Sequence, residues 1–262
     1  MLPELSNAEL ARYARQIAPG GLTEVGQRRL KAATVLISRV GGMGGPAALA
    51  LAAAGIGRIV LAHGGPLEEP DLNRQVLGSE AGLGHSRVRQ FAERLRGLNR
   101  WLAVEEIDHE PDAEETLELA RRSQLLVSAA PNFPERLKLN RAALAAGVPL
   151  IDAAQWGMNG TLCVVTPGQT ACLECLYPEP PGFEEFFPVV GAISLAIGSL
   201  AALEAIKILS GCGQSLAGQM LLYDGFGASP PRTIQLSRRT DCLSCAMAAQ
   251  TEVSRPTMRR SS

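Results

Sequence analysis

The sequence predicts an α/β protein with a Rossmann-like parallel sheet that carries helices on both faces, followed by C-terminal antiparallel strands and a structural zinc site. Three observations predict this fold. Short apolar strands alternate with helical patterns in the front half, a glycine-rich turn follows the first strand, and two Cys-x-x-Cys pairs lie in the back half. Because 46% of the 262 residues are hydrophobic, the chain can bury a substantial core.

The front half of the chain alternates between two patterns. Short apolar runs indicate strands, and the Ala-rich or amphipathic stretches between them indicate helices. Strand and helix alternating at this spacing predict parallel strands joined by crossover helices. In chain order we expect strand 34–38 (TVLIS), helix 45–54, strand 58–62 (RIVLA), helix 86–98, strand 102–107, helix 112–121, strand 125–128, helix 134–146 and strand 148–152.

The pattern changes after residue 152. A further strand is expected at 161–165, and a loop or crossover segment rich in Pro, Gly and Glu follows at 177–188. A long apolar helix is predicted over 190–209, and two more strands over 220–223 and 233–236. These elements predict the antiparallel part of the sheet.

We divide the chain into three segments. Residues 1–20 are expected to form an N-terminal helical arm, residues 21–250 a single domain, and the polar residues 251–262 a disordered tail.

The charge balance excludes several classes of function. The chain has 25 basic and 26 acidic residues, a net charge of -1, and only 4% aromatic residues, which argues against nucleic-acid binding. The start of the chain lacks the pattern of a signal peptide, and the most apolar stretch, 189–203, is shorter than a membrane span. We therefore expect a cytoplasmic protein that binds neither nucleic acid nor membrane.

Four of the six cysteines form two Cys-x-x-Cys pairs. Two such turns supply four thiolates, the ligand set of a closed structural zinc site, and the alternative is a redox or disulfide pair. Cys163 and Cys212 are interpreted as ordinary buried or half-buried thiols. The predicted zinc ligands are Cys172, Cys175, Cys242 and Cys245.

A glycine-rich turn joins the first strand to the first Ala-rich helix. Its glycines, Gly41, Gly42 and Gly44, would let backbone N–H groups and the helix N-terminus approach a phosphate. The alternative is a tight turn that needs small residues only for its geometry.

Taken with its surroundings, this turn belongs to a series of motifs in which the chain resembles the MoeB/ThiF/HesA family, the bacterial relatives of ubiquitin-activating enzymes. The motifs, in the family's order, cover about nine-tenths of the chain, which is far more specific than one motif. They are RYARQI at 12–17, VLIxxxGGMGGPAALALAAAGIG at 35–57, DLNRQ at 71–75, AERLRGLN at 92–99, NFP at 132–134 with Arg136 and Asn140, CxxCLxPxPP from 172, GSLxALEAIK at 198–207, LYD at 222–224 and the final Cys-x-x-Cys.

The resemblance implies a dimeric fold with ATP in each glycine-loop pocket. Enzymes of the family adenylate the C-terminal glycine of a small ubiquitin-like sulfur carrier, and a sulfur donor then converts the adenylate to a thiocarboxylate for molybdopterin- or thiamin-type cofactors. The resemblance also implies site residues. These are Arg12 and Arg15, which would reach into the partner's ATP site, Asn73, Arg74 and Gln75, which would line the chain's own pocket, and Arg87, which would contact phosphates.

The chain departs from the family pattern at positions that hold the nucleotide. Arg39 replaces the first glycine of the loop G-x-G-G-x-G, His63 replaces the acid that holds the ribose, and Gly65 replaces a second acid. Arg87 replaces a lysine. Pro131 stands where the family has its magnesium-binding aspartate, and proline offers no side-chain oxygen.

Two interpretations therefore stay open. In the first, the adenylation site is impaired, and the chain is an accessory or scaffold subunit, as a homodimer or beside an active paralogue. In the second, it is an active adenylyltransferase in which Arg39, Arg74 and Arg87 bind phosphates and Asp71 or Asp152 holds magnesium. A dinucleotide-dependent oxidoreductase is the weakest alternative, because the loop is not G-x-G-x-x-G.

Some arginines also have a simpler interpretation. Arg12 and Arg15 have the spacing of one solvated helix face, and Arg74 could be a surface or interface charge.

Overall fold

One mixed sheet of eight strands runs through residues 1–182 and 187–246, the part of the chain that the computed structural model describes. The strand order is β3-β2-β1-β4-β5-β6-β7-β8. Neighbours are parallel from β3 to β5 and antiparallel from β5 to β8, so the predicted sheet is confirmed. The strands are β1 (Thr34–Ser38), β2 (Arg58–Ala62), β3 (Ala103–Ile107), β4 (Leu125–Ser128), β5 (Leu150–Trp156), β6 (Asn159–Val165), β7 (Gln219–Asp224) and β8 (Arg232–Gln235).

Helices cover both faces of the sheet. Among the described residues they are α1 (Asn7–Tyr13), α2 (Glu24–Ala32), α3 (Gly44–Ala54), α4 (Arg87–Leu98), α5 (Ala113–Arg121), α6 (Phe133–Ala146), α7 (Leu173–Leu176) and α8 (Gly191–Ser210). Helix α3 packs against α4 and α8, whereas α5 packs against α6.

Side chains that alternate along the central strands form a core on each face. Along β1, Val35 and Ile37 belong to the core that includes α3, α4 and α8, whereas Leu36 belongs to the core that includes α5 and α6. A strand buried on both faces has no polar side, which explains why these segments are continuous apolar runs in the sequence.

The predicted elements agree with the observed ones to within a few residues, and capping explains several of the ends. Ser86 and Asp112 are N-caps whose side chains accept from backbone N–H groups, so α4 and α5 begin one residue later than predicted. Helix α2, capped by Thr23, was not predicted. The N-terminal arm contains one short helix, α1, and the predicted tail 251–262 lies outside the described residues.

Helix α8 is long and apolar enough to cross a membrane by length and composition. It packs against α2, α3 and strands β5 and β6, which is the position of a core helix. Its apolar character is explained by this packing.

The sheet order creates a crevice next to β1. The chain leaves β1 toward α3 on one face and β4 toward α6 on the other, so the connections diverge at the carboxyl ends of these two strands. In open α/β sheets, ligands bind outside the carboxyl ends of the strands at such a switch point.

Candidate functional site

A cavity of about 600 Å³ lies at this crevice. Its walls come from the glycine-rich turn, the segment after β2, the loop around residue 73, the start of α6, the β5–β6 hairpin and the start of α8. These segments are far apart in the sequence, and the parallel sheet brings their ends together.

The glycine-rich turn is held by close backbone packing. Gly41 and Gly42 line the cavity, and a Cβ on Gly42 would lie 3.1 Å from the Arg74 side chain. Gly44 begins α3, where a Cβ would overlap the carbonyl oxygen of Arg39. The turn is consistent with both interpretations of its glycines. It needs small residues for its geometry, and it also faces the cavity, where a phosphate could approach it.

Arg39 has the left-handed backbone conformation, with φ of 63°, which favours glycine. Its guanidinium bridges two carboxylates. Nε donates to Glu135 at 2.8 Å and Nη1 donates to Glu110. Ser38 also donates to Glu135, and the N–H of Gly64 donates to Glu110. Arg39 therefore joins the end of β1 to the segment after β3 and to the first turn of α6.

Asp71 is the hub of a second network beside the cavity. Its carboxylate accepts from Gln75 Nε2 at 2.6 Å and from the backbone N–H of Glu68 at 3.0 Å. It also forms ion pairs with Arg74 and Arg87, each at 3.3 Å. Asp71 thus has a partner for both oxygens.

His63 follows β2 and is buried beside Arg87. Its Nε2 lies 3.3 Å from Arg87 Nη1, and its Nδ1 has no hydrogen-bond partner among the described residues. Burial, and to a lesser extent the positive charges of Arg87, Arg39 and Arg74, together lower the pKa of His63 to about 3. The imidazole is therefore neutral at physiological pH.

A buried ion pair joins α6 to β5. Arg136 donates to both oxygens of Asp152, which also accepts from Ser128 Oγ at 3.0 Å. Burial would lower the pKa of Arg136, but the pairing with Asp152 outweighs it and raises the pKa. The guanidinium also lies over the rings of Phe133 and Tyr177 at 4.4 and 5.3 Å.

Aromatic side chains form part of the cavity mouth. Trp156 stacks on Phe187 with ring centroids 5.9 Å apart, and half of the Trp156 surface is exposed. Sequence reasoning missed this pair.

The four predicted zinc ligands converge in one buried cluster, in which all four sulfur atoms lie within 4.8 Å of one another. Three sulfur pairs are 3.5 to 4.0 Å apart. A tetrahedron with metal–sulfur bonds of about 2.3 Å has edges of about 3.8 Å, so the spacing fits a four-thiolate metal site. Burial raises the pKa of Cys245 to about 11, and a divalent cation would supply the positive charge that thiolates need here.

The remaining two cysteines lie away from this cluster. Cys163 is buried in β6, and Cys212 is half-buried after α8.

The comparison with protein families identifies the chain. The model of the ThiF family matches residues 13–244. The chain belongs to the ThiF family. The MoeB/ThiF/HesA resemblance seen in the sequence is therefore confirmed.

Relatives support the same conclusion. "Protein HesA, heterocyst" of Trichormus variabilis is 41% identical over 221 residues, which are 84% of this chain and 83% of that protein. "Adenylyltransferase and sulfurtransferase MOCS3" of Mus musculus is 38% identical over 248 residues, 92% of this chain and 54% of that protein. The crystal structure of E. coli MccB with ATP has a TM-score of 0.80 at 23% identity and covers 92% of this chain and 75% of that one, so it shares the fold.

A magnesium ion does not fit the ThiF-type pocket of this chain. Among the described residues that line the cavity, Asp71 is the one carboxylate, and Arg74 and Arg87 already bind it. Asp152 is buried, does not line the cavity and accepts hydrogen bonds from Arg136 and Ser128. Pro131 lines the cavity but supplies no oxygen from its side chain.

The arginines expected to act on a partner subunit lie outside the chain's own cavity. Arg12 donates to the carbonyl of Leu98 and lies 5.3 Å from the centre of the Trp101 ring. Arg15 is exposed after the end of α1. Their action in a partner's site stays a prediction.

The cavity does bring together most of the other predicted site residues. Arg74, Gln75 and Arg87 line it, and Asn73 accepts from Arg74 Nη1 at 3.0 Å. Sequence reasoning missed Glu110 and Glu135. The spacing from Asn132, the N-cap of α6, could have revealed Glu135, whereas nothing in the sequence marks Glu110.

Proposed function

We propose that this ThiF-family protein takes part in sulfur transfer with a small ubiquitin-like sulfur carrier, as an accessory or scaffold subunit whose own adenylation site is impaired. One observation carries the proposal: every arginine that lines the cavity is already paired with a carboxylate of the same chain. The pairs are Arg39 with Glu110 and Glu135, Arg74 and Arg87 with Asp71, and Arg136 with Asp152.

The charges explain why this pairing matters. The four arginines form ion pairs with four carboxylates of the described chain, so a triphosphate would have to compete with these carboxylates for the guanidinium groups. A phosphate that took Arg74 and Arg87 from Asp71 would leave a buried, unpaired carboxylate, which costs several kcal/mol. Adenylation needs neutralised phosphates and a seated magnesium ion, and this arrangement supplies neither.

The relatives support the wider setting of this proposal. The name of MOCS3 joins adenylyl transfer to sulfur transfer, and crystal structures of MccB contain ATP or MccA. The protein would work in the cytoplasm, as a homodimer or beside an active paralogue, with Arg12 and Arg15 available to a partner's pocket. The domain would span residues 21–250, preceded by the arm 1–20.

A second candidate function is active adenylation of the carrier. The cavity of about 600 Å³ favours it, because the space is retained and Arg74 and Arg87 stand beside the glycine-rich turn. This function would require Asp71 to exchange its arginine partners for a metal ion.

A restoration experiment separates the two candidates. The variant R39G/P131D returns a glycine to the loop and an acid to the metal position. By calorimetry we expect the wild type to bind magnesium–ATP with a Kd weaker than about 1 mM, and the variant to bind at least about tenfold more tightly, only with magnesium. Gly97→Ala, in α4, is the control for substitution alone, because nothing lies within 4 Å of the position that a Cβ would take.

Micromolar magnesium–ATP binding by the wild type, together with carrier-dependent pyrophosphate exchange, would establish active adenylation instead. Equal weak binding by the wild type and R39G/P131D would mean that these two positions do not cause the impairment.

A further inference from the structure

One buried amide outside the cavity is only half satisfied. Asn140 in α6 is fully buried and does not line the cavity. Its Nδ2 has no hydrogen-bond partner in the described part of the chain, so the side chain makes its one hydrogen bond there through its oxygen. A buried donor without a partner costs free energy, and an apolar side chain would avoid this cost. The contact of the oxygen therefore needs an explanation.

That oxygen holds the first cysteine turn, Cys172–Cys175. Oδ1 of Asn140 accepts from the backbone N–H of Leu173 at 3.0 Å, in a buried hydrogen bond. Leu173 is the first residue of α7, the four-residue helix that carries Cys175. The first N–H groups of a helix have no partner inside it, and the N-cap Cys172 makes no side-chain capping bond. Asn140 thus caps this short helix from another element.

Helix α6, which carries Asn140, is itself fixed on the sheet. Arg136 lies one helical turn before Asn140 on the same face, and it donates to both oxygens of Asp152 in β5. Phe133, on the same face again, contacts the ring of Tyr177 with centroids 4.8 Å apart. Because Tyr177 directly follows α7, helix α6 contacts the first cysteine turn at both ends.

A second set of contacts joins the two cysteine turns to each other. Glu174, inside the first turn, accepts from Arg141 Nε of α6 at 2.8 Å and from the hydroxyl of Ser244, inside the second turn, Cys242–Cys245. The backbone N–H of Arg239 donates to Cys175 Sγ at 3.5 Å. The second turn therefore rests on the first, and a displacement of the first turn would reach all four sulfur atoms.

We propose that Asn140 is a positioning residue of the metal site: by holding the N–H of Leu173, its amide oxygen orients Cys172 and Cys175 toward a divalent metal ion. Residues that orient metal ligands through a hydrogen bond typically contribute about 10- to 100-fold to metal affinity. Only the oxygen takes part, so the NH₂ group is dispensable. The inference goes beyond the proposed function, because it concerns the cysteine cluster and makes no use of the cavity.

The test compares two substitutions of similar shape that differ in the acceptor. Asn140→Asp keeps an oxygen acceptor in either protonation state, whereas Asn140→Leu removes it. Competition with a chromophoric chelator measures the zinc affinity of each folded full-length protein. We expect Asn140→Leu to bind zinc about 10- to 100-fold more weakly than the wild type, and Asn140→Asp to bind within about threefold of it.

Two further measurements separate positioning from stability. The visible spectrum of bound cobalt(II) depends on ligand geometry, so it should be altered in Asn140→Leu and retained in Asn140→Asp. The matched control, Leu144→Ala, removes buried volume from the last turn of α6 and no hydrogen bond. It should lower the Tm but keep the wild-type zinc affinity and cobalt spectrum. In the zinc-loaded wild type, the amide of Leu173 should be protected from hydrogen exchange, a measurement that requires no variant.

Several results would overturn the inference. They are wild-type zinc affinity in folded Asn140→Leu, equally weak binding by folded Asn140→Leu and Asn140→Asp, and rapid exchange of the Leu173 amide in the zinc-loaded wild type. An equal loss of affinity in Leu144→Ala would also overturn it, because zinc binding would then follow the stability of α6 alone. The outcome of the magnesium–ATP comparison with R39G/P131D does not affect any of these measurements.

Discussion

At the scale of single residues, His63 has the most unusual chemistry in the cavity. It is buried, and three arginines surround it, so the charged imidazolium is strongly disfavoured in the folded protein. Neutrality gives the ring one donor and one acceptor, which is what pairing with Arg87 requires.

This leads to a pH dependence of stability. The folded pKa of about 3 is below the ordinary value of 6.5, so the unfolded chain binds more protons between these values. The contribution of the neutral His63 to the free energy of unfolding is complete above about pH 6.5. It is lost as the pH falls, and the free energy of unfolding is lower by about 2 kcal/mol at about pH 5. Urea unfolding at several pH values gives the free energy of unfolding of the wild type and of His63→Gln. The change with pH in the difference between these two free energies measures the contribution of His63.

The comparison with His63→Gln removes the effect of the other titratable groups, because these groups titrate in both proteins. A difference in unfolding free energy that stays constant from about pH 7.5 to pH 5 would contradict a neutral, buried His63.

Arg39 illustrates how much of the site could be predicted residue by residue. The family pattern has a glycine at the position of Arg39, and the left-handed backbone of Arg39 is the conformation that favours glycine. The partners Glu110 and Glu135 could not be predicted, since they lie 71 and 96 residues further along the chain. The order of the strands brings them to Arg39, and no local spacing in the sequence records that order.

At the scale of elements, helix α8 packs closely against two loops at the cavity. Gly198 is in contact with the glycine-rich turn, where a Cβ would overlap the carbonyl oxygen of Met43. Gly191 is equally close to the carbonyl of Asn73. Two glycines therefore let α8 approach both loops that line the cavity.

We expect Gly198→Ala to lower the free energy of unfolding by about 1–3 kcal/mol, because the obstacle is a backbone atom that cannot rotate away. Gly97→Ala is the matched control, since nothing lies within 4 Å of its would-be Cβ, and it should raise stability by about 0.5–1 kcal/mol through helix propensity. Urea unfolding measures both. Equal effects of the two substitutions would show that α8 is not packed this closely.

The elements themselves were largely predictable, and the exceptions have physical reasons. Buried parallel strands are short apolar runs, which are easy to find. Helix α2 was not predicted, because its sequence, EVGQRRLKA, buries only a narrow face that includes Gln27 and Leu30. Strand β5 was predicted to end at 152 but runs to Trp156, because it pairs with β6 in a hairpin.

At the scale of the whole molecule, the four-cysteine cluster joins two distant parts of the chain. We expect the purified protein to contain about one zinc ion per chain by elemental analysis. Cys242→Ser should lose most of it and lower the Tm by about 10 °C, since metal binding contributes directly to folding. Chelation of the wild-type protein should have a similar effect.

Cys212→Ser is the control, because Cys212 lies outside the cluster. It should retain the zinc and change the Tm by no more than about 2 °C. Stoichiometric zinc in Cys242→Ser, or an unchanged Tm after chelation, would exclude this site.

The four-cysteine cluster could be predicted from the sequence more completely than the cavity. Each Cys-x-x-Cys turn is local, and four thiols have few other uses, so the ligands were found by spacing alone. The series of contacts from His63 through Arg87 and Asp71 to Gln75 depends instead on side-chain directions. The two atoms of this series without a hydrogen-bond partner in the described part of the chain, His63 Nδ1 and Gln75 Oε1, could be found only from the positions of all their neighbours.

The separation between the two cysteine pairs has a consequence for biosynthesis. Cys172 and Cys242 are 70 residues apart, whereas all five parallel strands are complete by Trp156. As translation proceeds from the N-terminus, the parallel strands emerge before helix α8 and before the second cysteine pair, so a metal ion that meets the first pair would find only half of its ligands. A metal ion held by all four cysteines would therefore be enclosed only after β8 has been synthesised, so its binding would be a late step in the maturation of the protein.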